Sequence, residues 1–530
     1  MAITETRPDP TTPDSTTREI HNPWGRDDDY PSFVESLGSS DHKTIGRLFI
    51  GASLLFGVMA LGLAALAALH EIPDVDILDD DVVFQILTLS RLAVGFLFAI
   101  PLLLGLAIYL VPLQVGAATI AFPRAAAAAF WTWLLGGVLL VVSYAVDGGI
   151  GGSDANAIDL GYLALAVTLM ALLLGAVCVA TTVVTLRTTG LRLEQVPMFS
   201  WSMLVASSIW LLSLPVALAN ILLIYLDHRL GRPSDFGVGL NQWPQIEWLV
   251  QQPQVFVLAI PALGVVGDVV ATLAGVRQQK RGVMLSAIAA FGILAFGAWA
   301  QPFFNGDVRT QWLFVGMGFA VLLPLFAVLG GWALTLREGT LALNAPMVGA
   351  GLAMVPLLLA GVASALYVIE PLDLQESPYT QYGVLALGIG AVTVAGSAGL
   401  AYWGPKIWGR PPINGVALLA VASGFAGSCI AGLAFVINGL VADADEVADA
   451  ADFLNGTAAA GLALLALAVL LTIVSLLGRG PNPGDDPWQG QTLEWATSSP
   501  PPLGNFGTLT EVTSAEPLLD AGDPEREEAR

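Results

Sequence analysis

The sequence predicts an all-α membrane protein whose chain crosses the bilayer twelve times. Three observations support this fold class: 55% of the 530 residues are hydrophobic, only 12% are charged, and long apolar runs recur along the chain. A spanning helix needs about 20 predominantly apolar residues. The stretches of that kind are residues 45–70, 85–113, 125–147, 159–186, 196–226, 248–275, 282–303, 310–336, 343–369, 379–403, 413–440 and 453–478.

Two polar segments flank these runs. Residues 1–40 are rich in Pro, Asp and Thr and show no cleavable signal peptide, and residues 479–530 are Pro-rich and acidic. We therefore divide the chain into an N-terminal tail (1–40), a twelve-helix membrane domain (41–478) and a C-terminal tail (479–530). Both tails are expected to be largely irregular.

The basic residues predict the orientation. With a cytoplasmic N-terminus, twelve Lys and Arg flank the spans on the cytoplasmic side and three on the other. The twelve are Lys43, Arg47, Arg124, Arg187, Arg192, Arg277, Lys280, Arg281, Arg337, Lys406, Arg410 and Arg479, and the three are Arg229, Arg232 and Arg309. Because cytoplasmic loops carry an excess of Lys and Arg, we predict a multi-pass protein of the cell membrane with both termini in the cytoplasm.

The formal charge of −22 argues against nucleic-acid binding. An acidic surface with three Lys against eighteen Arg suggests a halophilic source, and a high-GC actinobacterium with an acidic tail is the alternative. Cys178 and Cys429 fall in different spans and are most simply explained as small packing residues.

Five short segments carry motifs in a fixed order. They are residues 41–46 (DHKTIG), 109–117 (YLVPLQVGA), 197–201 (PMFSW), 402–406 (YWGPK) and 492–502 (TLEWATSSPPP). Together the segments resemble subunit I of the haem-copper terminal oxidases, the cytochrome c oxidase subunit I family. The resemblance implies the twelve-helix arrangement of that subunit, oxygen reduction at haem and copper, and partner subunits in a respiratory complex.

The low-spin haem of the family is held by histidines of the second and tenth helices. At the matching positions this chain has Ser90 and either Gly383 or Leu385. Haem iron requires His, Met, Cys or Tyr on its axis. The resemblance therefore implies a haem site for which these positions offer no ligand.

The copper site of the family is also altered. Gln252, Gln254 and Phe256 stand where the family has His-Pro-Glu-Val-Tyr, and Gln301 and Pro302 stand at its His-His pair. Copper that reacts with oxygen is bound by imidazole nitrogens, so we predict that the chain binds neither haem nor copper. The glutamines are explained either by an amide network with buried water or by a polar cavity for a small ligand.

The proton routes of the family are substituted in the same way. Its channel-mouth Asp and the partner Asn match Thr119 and Ala126, and its eighth-helix Lys matches Val328. Buried ionisable groups are costly in a membrane unless they have a function. Neutral residues at all three positions favour loss of proton transfer.

Arg91 is the candidate site residue that the resemblance does not explain. It lies about two turns inside the second span, where an unpaired Arg is costly. Arg91 either fills the former haem pocket and binds a carboxylate, a lipid headgroup or another anion there, or it snorkels outward or pairs with a loop acid. Glu370, Asp373 and Glu376, in the loop before the tenth span, are the predicted partners.

The remaining polar candidates have simpler explanations. His42, His70 and His228 lie at predicted helix ends or in loops, where a solvated or capping histidine is expected. Asp268, near the end of the sixth span, is interpreted as a solvated helix-end acid.

Three functions follow from these observations. The first is a pseudoenzyme: a non-catalytic scaffold subunit of a membrane respiratory complex, in contact with lipid and with a subunit II-like or other redox subunit. The second is a channel, a transporter or a quinone- or lipid-binding protein that reuses the emptied cavity. The third is an active terminal oxidase, as the resemblance alone implies.

Overall fold

The computed structural model describes residues 38–72, 78–231, 246–247, 254–300, 312, 316–367, 369, 374, 378–441, 448–507, 509 and 512–521. Ser40–Arg530 forms one compact unit. Within the described residues of this unit, the chain folds into long helices joined by short connections.

Each of the twelve predicted spans corresponds to one long helix, so the predicted all-α fold class is confirmed. The helices are α1 His42–His70, α2 Asp80–Gln114, α3 Pro123–Ala145, α4 Ala155–Thr185, α5 Met198–Leu230, α6 Gln254–Ala274, α7 Arg281–Ala300, α8 Leu322–Glu338, α9 Ala345–Tyr367, α10 Tyr379–Trp408, α11 Asn414–Val441 and α12 Ala448–Leu476. Among the described residues, eleven helices are long and apolar enough to cross a membrane, where the span that contains α8 is Gly316–Glu338. The part of α7 whose side chains are described, Arg281–Ala295, is a shorter apolar helix.

Local sequence signals fix where several helices begin and end. Asp41 precedes α1 and accepts a hydrogen bond from the Lys43 backbone N–H, and Asp154 caps α4 through the Ala157 N–H at 2.8 Å. Both satisfy backbone donors that a helix leaves free at its first turn. Gly409 ends α10 with a φ of +68°, a conformation that glycine adopts without strain.

The helices pack mainly against their neighbours in sequence, and α12 returns to pack against α1. Three helices lie at the centre of the bundle. The most apolar stretch of α2 and of α6 is entirely buried and that of α10 is 94% buried, whereas only 39% of the corresponding stretch of α3 is buried. The peripheral helices therefore expose apolar surface that suits contact with lipid.

The bundle has two ends, which we call the terminal face and the opposite face. The terminal face is where α1 begins at His42 and α12 ends at Leu476, and the opposite face is where α1 ends at His70 and α10 begins at Tyr379. Because the helices alternate in direction, α2 runs from the opposite face to the terminal face.

The segment after α12 packs against the terminal face. Lys406 is fully buried, and its ammonium group donates hydrogen bonds to the carbonyl oxygens of Thr497 at 2.6 Å and Asp485 at 3.1 Å. The Asn505 amide donates to the Ala117 carbonyl oxygen at 2.8 Å. The described residues beyond 478 are mostly irregular, with short helices at Leu493–Ala496 and Pro517–Ala521. Residues 479–485 are exposed, whereas residues 490–495 are buried.

Helix α2 contains a π-helical segment, Val94–Ala99, three residues after Arg91. A π segment widens the helix and disturbs the usual pairing of backbone carbonyls, and such segments are frequent at functional sites. The Trp133 indole N–H of α3 donates to the Phe96 carbonyl oxygen at 3.0 Å. A side chain from a neighbouring helix thus satisfies one acceptor of the segment.

Candidate functional site

A cavity of about 290 Å³ lies near the opposite face, between α1, α2, α10, α11 and α12. Most of its wall is aliphatic. Four helices contribute aliphatic residues to the wall, among them Leu61 and Ala68 of α1, Leu87 of α2, Ile389 of α10 and Leu462 of α12. Ser90 and Arg91 lie side by side in the same wall, so the structure brings these two candidate residues to one pocket.

Arg91 is buried, with 6% of its surface exposed, and it forms an ion pair with Glu247. The Arg91 guanidinium carbon also lies 3.6 Å from the centre of the Tyr382 ring. A buried charge requires a partner of opposite sign and further polar contacts, and a cation over an aromatic face adds to the attraction. Glu370, Asp373 and Glu376, the partners expected from sequence, lie outside the described residues.

Three aromatic side chains gather beside Arg91. The ring centres of Tyr379 and Tyr382 are 6.0 Å apart, and Phe435 of α11 lies 6.4 Å from Tyr379 and 6.0 Å from Tyr382. These separations are typical of packed aromatic groups. One end of the cavity is therefore aromatic and polar, and the remainder is aliphatic.

A second buried polar site lies near the terminal face, around Asp268 of α6. Its carboxylate accepts hydrogen bonds from the backbone N–H groups of Met198 (2.9 Å) and Phe199 (3.2 Å) and from the Gln114 amide (2.9 Å). Asp268 is 6% exposed. The expectation of a solvated helix-end acid is therefore wrong, because this carboxylate caps the first turn of α5 from a neighbouring helix.

Glu494, in the segment after α12, completes this cluster. The Gln114 amide donates to Glu494 at 3.1 Å and the Trp403 indole N–H donates to the same oxygen at 3.3 Å. The residue is fully buried. Burial raises the pKa of the Glu494 carboxyl above its usual range, and the hydrogen bond from Gln114 opposes that rise.

The three described histidines lie at helix ends, as expected, but none is simply solvated. His42 is buried with a ring nitrogen 3.3 Å from the Asn505 amide. His70 lies 3.1 Å from a carboxylate oxygen of Asp80, and His228 lies 2.8 Å from one of Asp159. Within the described residues, no three His, Cys, Asp or Glu side chains come together in a group that could hold a metal ion.

Comparison with known proteins gives the family. A sequence model of "Cytochrome C and Quinol oxidase polypeptide I" matches residues 44–478, which is most of the chain. The chain belongs to the haem-copper oxidase subunit I family. The resemblance read from the five motifs is thereby confirmed.

Similarity to individual members extends over nearly the full length. The chain is 29% identical to a putative cytochrome c oxidase subunit 1-beta of Streptomyces avermitilis, covering 93% of this chain and 92% of that protein. It is 28% identical to a cytochrome c oxidase subunit 1 of Corynebacterium glutamicum, covering 92% and 88%. A heme-copper oxidase subunit I+III of Aeropyrum pernix is also 28% identical, over 89% of this chain and 61% of that longer protein.

Ser90 and Leu385 are positions at which the motifs predict ligands of the family's haem. Ser90 donates its hydroxyl hydrogen to the Leu87 carbonyl oxygen at 2.8 Å. Leu385 lines the cavity with an aliphatic side chain. Tyr379 and Tyr382 are wall residues able to ligate iron, but both lie one turn apart on α10 and so cannot bind opposite faces of a haem. The wall residues within the described part of the chain do not fit a bis-axial haem.

Gly383 is the alternative second-ligand position, and the packing leaves no room for a side chain there. A Cβ atom added to Gly383 would lie 2.7 Å from the Gly432 carbonyl oxygen and 2.6 Å from a Val436 methyl carbon. The close approach of α10 to α11 therefore depends on this glycine. A histidine at this position would require the two helices to separate.

The described copper-site position is likewise packed. Phe256, where the family has Tyr, is buried, and its ring centre is 6.1 Å from that of Phe291 on α7. Gln254 begins α6, and its side chain is outside the described part of the residue. Gln252, Gln301 and Pro302 lie outside the described residues.

The three positions predicted to match the family's proton channels lie in the loop before α3, in α3 and in α8. Thr119 is half-buried in the loop before α3, Ala126 is fully buried near the start of α3, and Val328 is fully buried in α8. None of the three side chains can carry a charge. Sequence reasoning missed Gln114 and Glu494 as interacting residues, which are 380 residues apart in the chain. Their shared signal is that each is a polar residue within one of the five motifs, residues 109–117 and 492–502.

Proposed function

We propose that this member of the oxidase subunit I family is a non-catalytic scaffold subunit of a membrane respiratory complex. The observation that carries the proposal is the cavity at the low-spin haem position, where Arg91, Glu247 and Tyr382 occupy one end and Gly383 lies in close helix contact. An oxidase needs axial iron ligands there. The substitutions at Gln252, Gln254, Phe256, Gln301 and Pro302 support the same conclusion for copper.

The proposed partners are membrane lipid and a subunit II-like or other respiratory subunit. Family membership supports assembly with other subunits, because members work in respiratory complexes. The packed part of the segment after α12 supports a retained outer surface, since the Thr497 carbonyl oxygen accepts from Lys406 of α10 and the Asn505 amide donates to the Ala117 carbonyl oxygen. We propose that the protein lies in the cell membrane with both termini in the cytoplasm, on the basis of the twelve-to-three distribution of basic residues. A reporter fused after Arg530 should signal only from the cytoplasm, and a signal only from outside would refute this orientation.

The test of the proposed function is an absorption spectrum with metal analysis on the purified protein. We expect no Soret band from bis-axial haem and no stoichiometric copper, and no oxygen consumption when this chain replaces an authentic subunit I. Ser90→His should not restore oxygen consumption, because the other haem and copper ligand positions and both proton routes remain substituted. A bis-axial haem spectrum, or copper at one per chain, would refute the proposal.

The second candidate function is a binding protein or transporter that reuses the cavity. The specific observation in its favour is that a cavity of about 290 Å³ remains between the helices, with its polar groups collected at one end. Apolar pockets with a few convergent polar groups are the usual form of a small-molecule site.

A further inference from the structure

One part of the cavity wall is aliphatic and the other part is polar and aromatic. Leu61, Ala64 and Ala67 of α1 and Leu462 and Leu465 of α12 form an aliphatic part. The volume of about 290 Å³ is at the lower end of the usual range for small-molecule sites, about 300–1,000 Å³. The space therefore suits a head group with part of a chain and is too small for a complete two-chain lipid.

The polar residues of the wall are collected at the other end and are mostly hydrogen-bond donors. Arg91, Tyr379 and Tyr382 carry N–H or O–H groups, and the aromatic rings give flat surfaces beside them. The Asn455 amide also lines this end, where it donates to the Glu71 carbonyl oxygen at 3.4 Å. A group placed here would be recognised through its acceptor atoms, most simply through carbonyl oxygens.

The charges at this end disfavour an anionic ligand. The Arg91 cation is already paired with Glu247. A second carboxylate, Glu71, also lines the cavity. This set of side chains would therefore repel a free acid or a phosphate. A neutral polar head carries no charge and would not be repelled.

We propose that this cavity binds a membrane amphiphile with a neutral, carbonyl-bearing head at Arg91 and Tyr379 and an apolar chain between α1 and α12. The inference rests on the proposed function, because it requires that haem does not occupy the space. Two membrane molecules have this chemistry: a prenylated quinone, through its ring carbonyls, and an acyl lipid, through an ester carbonyl. An unfilled cavity in a helix bundle is costly, so such a ligand should also stabilise the protein.

The experiment measures the molecules that remain bound after purification. The full chain is purified with its partners from its own membranes, extracted with organic solvent, and analysed by mass spectrometry for quinones and phospholipids per chain. Ala386→Phe fills the cavity, because Ala386 is buried and lines it. Ala460→Phe is the matched control, because Ala460 is exposed on α12 and the same side chain is added there.

We expect wild-type protein and Ala460→Phe to retain one amphiphile per chain and Ala386→Phe to retain about tenfold less, which corresponds to a free-energy change of about 1.4 kcal/mol. The class of the retained molecule distinguishes quinone from acyl lipid. Equal retention by wild type and Ala386→Phe would overturn the inference, as would retention of neither class.

Two further measurements keep the outcomes separate. If Ala386→Phe does not fold, delipidated wild-type protein is heated with a decyl-substituted benzoquinone or with dioleoylphosphatidylcholine. Saturable stabilisation by one of them supports the inference, and stabilisation by neither overturns it. A haem assay on the same extracts separates the two proposals: haem would refute the proposed function, whereas neither haem nor amphiphile would refute only this inference.

Discussion

The two buried polar sites lie at the two ends of α2 and hold charge in different ways. Near the opposite face, the Arg91 cation is neutralised by the Glu247 carboxylate. Near the terminal face, Asp268 is held by neutral N–H donors, and Glu494 brings a second carboxyl into the same cluster. The first site is a pair of opposite charges, and the second is a pair of like groups bridged by Gln114.

The difference determines how each site responds when one member is removed. Removing one partner of a buried ion pair leaves an uncompensated charge, which is among the most costly single changes in a protein. Removing the Glu494 carboxylate leaves Asp268 as an acceptor for Gln114, Met198 and Phe199 and relieves repulsion. The cavity site should therefore be sensitive to loss of either charge, and the Gln114 site should be sensitive to loss of Asp268 alone.

The largest effect is expected from Arg91→Leu. The substitution leaves Glu247, whose side chain is 18% exposed, without its ion-pair partner, and we expect a loss of up to about 3–5 kcal/mol in the free energy of unfolding. Thermal unfolding in detergent measures it. Arg192→Leu is the control, because the Arg192–Glu194 pair is exposed and such pairs contribute about 0–1 kcal/mol. Equal losses in the two variants would contradict the paired-charge interpretation, and the double variant with Glu247→Leu should recover most of the loss.

A smaller effect is expected from Asp268→Asn. The amide keeps one acceptor but loses the charge that receives three N–H donors, so we expect a loss of about 1–3 kcal/mol. Glu494→Gln should cost less than Asp268→Asn, because it removes a like charge and keeps an acceptor for Gln114 and Trp403. Chemical or thermal unfolding compares the two variants. A larger loss for Glu494→Gln would reverse the proposed roles of the two carboxyls.

The pH dependence of stability should report the Glu494 carboxyl. Because its pKa is higher in the folded protein than the ordinary value of about 4.3, the folded state binds more protons than the unfolded state between those two values. The contribution of Glu494 to stability therefore falls as pH rises through that window. Unfolding temperatures measured from about pH 4.5 to 8 should fall less steeply for Glu494→Gln than for wild type. Parallel curves would show that this group does not titrate as described.

The smallest effect concerns salt. The net charge of −22 should make the wild-type protein more stable at high ionic strength, because salt screens repulsion among exposed acids. The stability difference between wild type and Arg91→Leu should hardly change between about 0.1 and 1 M NaCl, since a buried pair is screened much less than exposed ones. A difference that disappears at high salt would place the pair in solvent.

Much of the fold could be predicted from sequence because membrane spans have a strong local signal. Long apolar runs and few charges gave each of the twelve helices in order, with bounds displaced by several residues at some ends. The cost of an isolated charge at depth also identified Arg91 as a residue that needs a partner. Each conclusion needs only one segment of the chain and the low polarity of the membrane. Both are therefore visible in the local sequence.

The partners could not be predicted in the same way, because they are joined only by the fold. Glu247 is 156 residues from Arg91 in the chain, and Glu494 is 380 residues from Gln114. Hydropathy near a span end predicts a solvated Asp268, because it does not show which other segment covers the residue. Glu494, which joins this cluster, lies in residues 479–530, whose polar and proline-rich composition predicts an irregular tail.

The π-helical turn of α2 sets the rotational phase between the two buried polar sites. One residue corresponds to about 100° of rotation in an α-helix. The wide turn at Val94–Ala99 therefore changes the directions of the side chains after it relative to those before it. Arg91 lies before this turn and Gln114 after it. Deleting one residue within the turn would rotate one polar group away from its neighbours while the other stayed in place, so this short stretch couples the geometry of two sites that share no contact.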